Sequence, residues 1–166
     1  MTREDGSAIP PGELVETLLR RVDVVPVSLA LAQAAKESGW GTSRFVREGN
    51  NLFGEWCFEE GCGIVPKARA PGRRHEVRSF ESPQASVESY LRNINTHPGY
   101  RSLRGARKAQ RETRKDLSGV ALARELSQYS ERREDYVTEV RNLIIGNDLE
   151  SPAAESGALN GGADGS

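Results

Sequence analysis

Apolar residues along this chain fall mostly into helical spacing. Between residues 11 and 22, Leu14, Val15, Leu18, Leu19 and Val22 recur on one face of a 3.6-residue repeat, and Pro11 suits the first turn of the helix they predict. After a break at Val24-Val25-Pro26, a second predicted helix carries Leu29, Leu31, Ala32, Ala34 and Ala35. It is apolar nearly all round, the pattern of a central buried helix. Gln33 is polar within it, and a buried amide must find partners; it reads as structural rather than as part of a cleft. Residues 42–46 predict a short helical turn. Gly49-Asn50-Asn51-Leu52-Phe53-Gly54 predicts a tight turn, with Phe53 and Trp56 beside it as core or as groove wall.

Strand character is confined to residues 57–80, where Gly63-Ile64-Val65 and Glu76-Val77-Arg78-Ser79-Phe80 predict a small hairpin. The loop between them holds five positively chargeable side chains, Lys67, Arg69, Arg73, Arg74 and His75, and reads as a solvated tip. Ser82-Pro83 then opens a helix with the stripe Val87, Tyr90, Leu91 and Ile94, which ends at Asn95-Thr96-His97-Pro98-Gly99. His97 reads as structural. Residues 100–116 are dense in arginine and lysine and predict a solvated helix. Val120, Leu122, Ala123 and Leu126 restart the apolar pattern, and Tyr136, Val137, Val140, Leu143 and Ile144 mark a last helix. The organisation expected is a flexible N-terminus over residues 1–10, one domain over 11–150 and a disordered tail over 151–166.

Composition narrows the function classes. The 166 residues hold 23 basic and 24 acidic side chains, a net charge of -1. That mixed surface calls for neither nucleic acid nor an anionic membrane as partner. No apolar run is long enough to span a bilayer, and no signal peptide is visible after Met1. A monomer is expected. Cys57 and Cys62 either form one small-loop disulfide across Glu59-Glu60-Gly61 or remain thiols. Zinc would need more ligands than His75 and His97 add, so no metal and no cofactor is expected.

The candidate chemistry sits where the second helix stops, at Ala34-Ala35-Lys36-Glu37-Ser38-Gly39-Trp40-Gly41. Glu37 lies at the C-terminal end of a buried helix. Desolvation and the negative end of the helix dipole both disfavour its anion, which raises its pKa and suits it to general acid catalysis. Gly39 suits a left-handed helix stop, and Trp40 offers an aromatic plane to a sugar ring. The bland alternative is a glutamate near a helix cap beside a core tryptophan.

Three ordered blocks carry a resemblance. Ala32-Gln33-Ala34-Ala35-Lys36-Glu37-Ser38-Gly39-Trp40-Gly41, Asn50-Asn51-Leu52-Phe53-Gly54 and Tyr129-Ser130-Glu131-Arg132-Arg133-Glu134-Asp135-Tyr136 resemble the bacterial glucosaminidases. Gly54-Glu55-Trp56-Cys57-Phe58, Gly61-Cys62-Gly63, His75-Glu76-Val77 and Asn95-Thr96-His97-Pro98 with Tyr100-Arg101 are similar to the Bax-like branch.

The resemblance covers residues 25–146. It implies an α+β, mainly α, lysozyme-like fold in which a small β-hairpin flanks a groove for a peptidoglycan glycan strand. It also implies a periplasmic or cell-envelope location and endo-β-N-acetylglucosaminidase action. On it, Glu37 is the catalytic acid and Glu76, on the hairpin, the first choice for a second carboxylate, with Glu55, Glu59 and Glu60 as competitors. Attack by the substrate's own acetamido oxygen is also open. Tyr129 corresponds to a tyrosine near the reaction centre, although Ser130-Glu131-Arg132-Arg133 departs from the family's usual following run. Trp40, Asn51, Phe53, Glu55 and Trp56 are the expected substrate-binding residues. The competing readings are a lytic transglycosylase and a non-catalytic wall-binding module.

Overall fold

A computed structural model describes residues 7–113, 116–128 and 133–151. Among the described residues seven α-helices carry the fold: α1 Pro11–Arg21, α2 Val27–Ser38, α3 Arg44–Gly49, α4 Pro83–Thr96, α5 Arg101–Thr113, α6 Gly119–Leu122 and α7 Arg133–Gly146. Short 3-10 helices lie at Pro98–Tyr100 and Ala123–Gln128. Strands β1 Trp56–Cys57, β2 Gly63–Ile64 and β3 Glu76–Arg78 form one antiparallel sheet with β3 in the middle. The architecture is the α+β, mainly α one expected.

α2 is the central helix, packed by α6 and α7. Leu29, Ala32 and Gln33 are buried on its inner face, together with Tyr90 and Ile94 of α4, Leu103 of α5, Leu122 of α6 and Tyr136, Val140 and Ile144 of α7. Each large apolar side chain removed from water contributes about 1.5–3 kcal/mol, so this seam holds the helices together. Helix α6 comes close because Gly119 has no side chain: a Cβ there would lie 2.3 Å from Ser28 Oγ. The outer face of α2 departs from its pattern, since Val27 and Leu31 stay about half exposed. Ser82 caps α4 as expected, its hydroxyl accepting from the Ala85 amide.

Helix α1 forms as its spacing predicts, but its apolar face enters no core: α1 has no buried residue, and Leu19 and Val22 are 70% and 73% exposed. One expectation is corrected. The arginine-rich α5 is not simply solvated, because Arg104 and Arg107 are buried. The two facts are one. Arg107 donates to the Arg20 and Arg21 carbonyls at the end of α1 (3.0 and 3.3 Å), to the Asp23 and Val24 carbonyls and to Asn95 Oδ1 (2.8 Å). A guanidinium with five donors satisfies the unpaired carbonyls of a helix end, and so docks α1 without apolar burial. Periodicity marks amphipathic positions but does not say what covers them.

The sheet also has one strand more than the hairpin expected. Trp56 pairs with Val77 and Cys57 with Glu76 on one edge, Gly63 with Arg78 and Ile64 with Val77 on the other. A two-residue strand leaves no alternation to read. Cys57 and Cys62 form a disulfide that closes the turn between β1 and β2.

Candidate active site

Glu37 occupies the last turn of α2, half-buried. Gly39 stops the helix in the left-handed region at φ 57°, and the chain folds back so that the Trp40 amide donates to the Ala35 carbonyl (2.8 Å). Burial pushes the Glu37 carboxyl above the ordinary carboxylate range, while a hydrogen bond from Tyr136 and the charge of Lys36 pull the other way. Lys36 itself pairs with Glu139 of α7.

Behind Glu37 lies a buried polar chain. The Tyr90 hydroxyl donates to Gln33 Oε1 (2.8 Å), and Gln33 Nε2 donates to the Tyr136 oxygen (3.0 Å). Phe53 stacks on Tyr90 with ring centres 4.0 Å apart and planes 8° apart.

In front of Glu37 lies Gly54, at φ 66°, where a Cβ would sit 3.6 Å from Glu37 Oε2. Gly54 also lines an open groove of about 600 Å³, together with Glu55, Trp56, Phe58, Arg78, Ser89 and His97 among others. Trp56 is 59% exposed and stacks on His75, which leaves one face of the indole to the groove. Glu55 Oε2 accepts from Ser89 (2.8 Å) and lies 3.9 Å from Arg78, whereas Glu55 Oε1 is buried without a hydrogen-bond partner. Tyr100, whose phenol burial pushes up, senses the charges of both Glu55 and Glu37. The site therefore offers a carboxyl whose pKa burial raises, a second acidic side chain next to Gly54, and an aromatic surface.

The remaining expected residues have other placements. Glu76 is buried, and its two oxygens accept the Gly61 and Gly63 amides (3.2 and 2.8 Å), so it holds the disulfide-closed turn. Asn51 is buried too: its amide donates to the Glu55 and Arg78 carbonyls and its oxygen accepts the Glu55 amide (3.0 Å), which fixes the turn that aims Glu55. Trp40 is 65% exposed and lies over α7 with Leu143 and Asn142, not in the groove with Trp56. Tyr129 lies outside the described residues. His97 borders the groove while its Nδ1 accepts the Gly99 amide, a capping role consistent with a structural reading. Cys57 and Cys62 lie near Glu76, but as disulfide sulfurs they are not thiolate ligands.

A family profile described as mannosyl-glycoprotein endo-beta-N-acetylglucosaminidase, the glucosaminidase domain, matches residues 12–149. The chain belongs to the glucosaminidase family. This glucosaminidase domain is also similar to Protein bax of Escherichia coli (strain K12), at 40% identity over 120 residues. Those residues are 72% of this chain and 42% of that protein, so the chain spans less than half the length of the relative it matches. No solved structure matches. The Bax-like resemblance is therefore shown, and no helix among the described residues of the domain is long and apolar enough to cross a membrane.

Sequence reasoning missed the part three residues play around the candidate site. Tyr136 reads as one more apolar position of α7, yet it bonds Glu37. Gln33 reads as structural, but it lies four residues before Glu37, one turn away on the same helix face, and that spacing is a usable signal. Tyr100 stands in the Bax-like block with Arg101, but nothing in that block marks its closeness to Glu37.

Proposed function

We propose that this chain cleaves β-1,4 glycosidic bonds after N-acetylglucosamine in peptidoglycan glycan strands, with Glu37 as general acid. The observation that carries the reading is the half-buried Glu37 at the end of α2, its pKa raised by desolvation, beside a groove with an exposed indole. Glu37 gives its proton to the bridging oxygen as the bond to the anomeric carbon breaks. Water adds its hydroxyl to that carbon, and its remaining proton passes to a base.

Glu55 is the second carboxylate on this reading, in preference to Glu76. Glu55 lines the groove, whereas both oxygens of Glu76 are taken by the turn. An anion there also steadies the positive charge that grows on the sugar ring. Trp56 supplies the sugar platform. The match to the glucosaminidase family supports a glycan substrate, and the open shape of the groove suits a polymer threaded along it.

The test is product analysis on purified sacculi. New reducing-end N-acetylglucosamine supports the proposal. Ends carrying 1,6-anhydro-N-acetylmuramic acid select a transglycosylase instead, and binding with no product selects a wall-binding module. Glu55→Gln is expected to lower kcat by about 100-fold or more, with Glu76→Gln acting on stability first.

A further inference from the structure

Gln33 and Tyr90 touch no surface, yet they stand in line with the carboxyl at the end of α2. Tyr90 reaches Gln33 from 57 residues away and Tyr136 from 103, so three helices contribute to one short row of polar atoms inside an otherwise apolar core. We propose that Gln33 and Tyr90 are positioning residues for Glu37, forming a one-way row of donors, Tyr90 to Gln33 to Tyr136 to Glu37, that fixes where the Tyr136 proton points. The proposal rests on Glu37 being the acid of the reaction above.

The direction follows from what each group can give and accept. The Tyr90 hydroxyl proton goes to Gln33 Oε1, which turns the amide so that Nε2 faces Tyr136. An amide NH₂ only donates, so the Tyr136 oxygen accepts and its own proton is free for the Glu37 carboxyl, to which Tyr136 bonds. The opposite amide orientation would have Gln33 Oε1 compete with Glu37 for the Tyr136 proton. It would also leave the buried Tyr90 hydroxyl facing a donor instead of an acceptor. Tyr90 cannot swing away to relieve this, because its ring is clasped flat against Phe53. Tyr90 thus acts as the latch that keeps the amide in the useful orientation.

A donor on one carboxyl oxygen steers the acidic proton to the other and limits how far burial raises the pKa. The other groups near Glu37 are Lys36 on its own helix, engaged with Glu139 of α7, and Tyr100 and Glu55 from the groove side. Of the groups opposing desolvation, Tyr136 acts by hydrogen bond and Lys36 by charge alone. Removing the latch therefore changes the one contact that depends on orientation.

The experiment is a carbon-detected NMR titration of the Glu37 carboxyl in the full chain, with pH profiles of turnover on solubilised peptidoglycan beside it. Tyr136→Phe is expected to raise the Glu37 pKa by up to about one pH unit, the equivalent of one hydrogen bond. Tyr90→Phe keeps the ring and the Phe53 stack, and is expected to move it in the same direction by less. In the Tyr136→Phe background, Tyr90→Phe is expected to add nothing. The alkaline limb of kcat/KM follows the same order, and kcat falls about threefold to tenfold in Tyr90→Phe while KM stays within twofold.

A Tyr90→Phe chain whose Glu37 titrates as in the wild type, or whose effect adds fully to that of Tyr136→Phe, overturns the proposal. A purely structural Tyr90 would lower the melting temperature and leave the titration where it was. If the wild-type chain turns over no peptidoglycan, the function proposed above fails, while the titration still decides the donor row.

Discussion

Two helices end within this fold in opposite electrostatic company. The C-terminus of α1 meets the guanidinium of Arg107, which donates to its terminal carbonyls. The C-terminus of α2 carries Glu37, an acid at the negative pole of its own helix. In the first arrangement a cation meets the dipole and carbonyls that have lost their helical partners regain donors, which offsets the cost of burying the guanidinium. The second works against itself, since burial and the dipole both oppose the carboxylate, and the cap is made instead by backbone amides around Gly39. Stability is concentrated at one end and chemistry at the other. An apolar interface docks α2, where orientation matters to Glu37, whereas a polar clamp suffices for α1, which carries no candidate residue.

The sharpest way to break that comparison is at the acid. Glu37→Gln removes the proton donor and keeps the shape, and cleavage of sacculi is expected to fall by about 10²–10⁴. Turnover close to wild type would falsify the assignment. Next in size is the clamp. Arg107→Ala leaves several carbonyls and Asn95 Oδ1 without their donor, and is expected to cost about 3 kcal/mol, roughly a 6–12 °C drop in melting temperature. Activity measured well below that melting point is expected to stay within a few-fold of wild type, because α1 touches neither the groove nor the donor row. A large loss of kcat in the folded variant would show that the two helix ends are not independent.

Glu76→Gln offers a milder contrast between two carboxyls. It keeps one acceptor oxygen for the turn and replaces the other with a donor facing an amide, so a loss of about 1–2 kcal/mol is expected, read by chemical denaturation.

The smallest expected effect concerns Glu37 and pH. Its folded-state pKa lies above the unfolded one, so the stability tied to its proton is present at low pH and is lost as pH rises through the folded value. Glu37→Gln removes that loss. The variant is expected to melt about 1–2 °C above wild type near pH 8, with the gap narrowing below pH 4.5. A gap of opposite sign would mean that the carboxylate is favoured in the fold.

Much of this was legible before any coordinates. The apolar run of α2, the Gly39 stop and the Ser82-Pro83 start follow from local rules, because caps and buried helices are decided by neighbours within a turn or two. The same holds for Glu37 as the candidate acid. What stayed hidden depends on distant partners. The clamp on α1 joins Arg107 to carbonyls some 86 residues earlier, which no periodicity reports. Glu76 looks like a strand residue facing out until the Gly61 and Gly63 amides are seen beneath it. Glu55 follows a glycine in a turn, and only the Asn51 bonds on its own peptide group reveal that the turn is rigid enough to aim it. Trp40 and Trp56 read alike as sugar-binding aromatics, but the left-handed backbone at Trp40 sends it to the α7 side.

The bridge between Cys57 and Cys62 has a consequence for where this protein can be itself. So small a ring withholds little freedom from the unfolded chain; it acts as a local brace for the bend that seats Glu76 and sets Trp56 on its strand. Cytosolic thiols keep such a bond open, and oxidising compartments let it close. The closed hairpin therefore suits an extracytoplasmic role, the one the glucosaminidase family suggests.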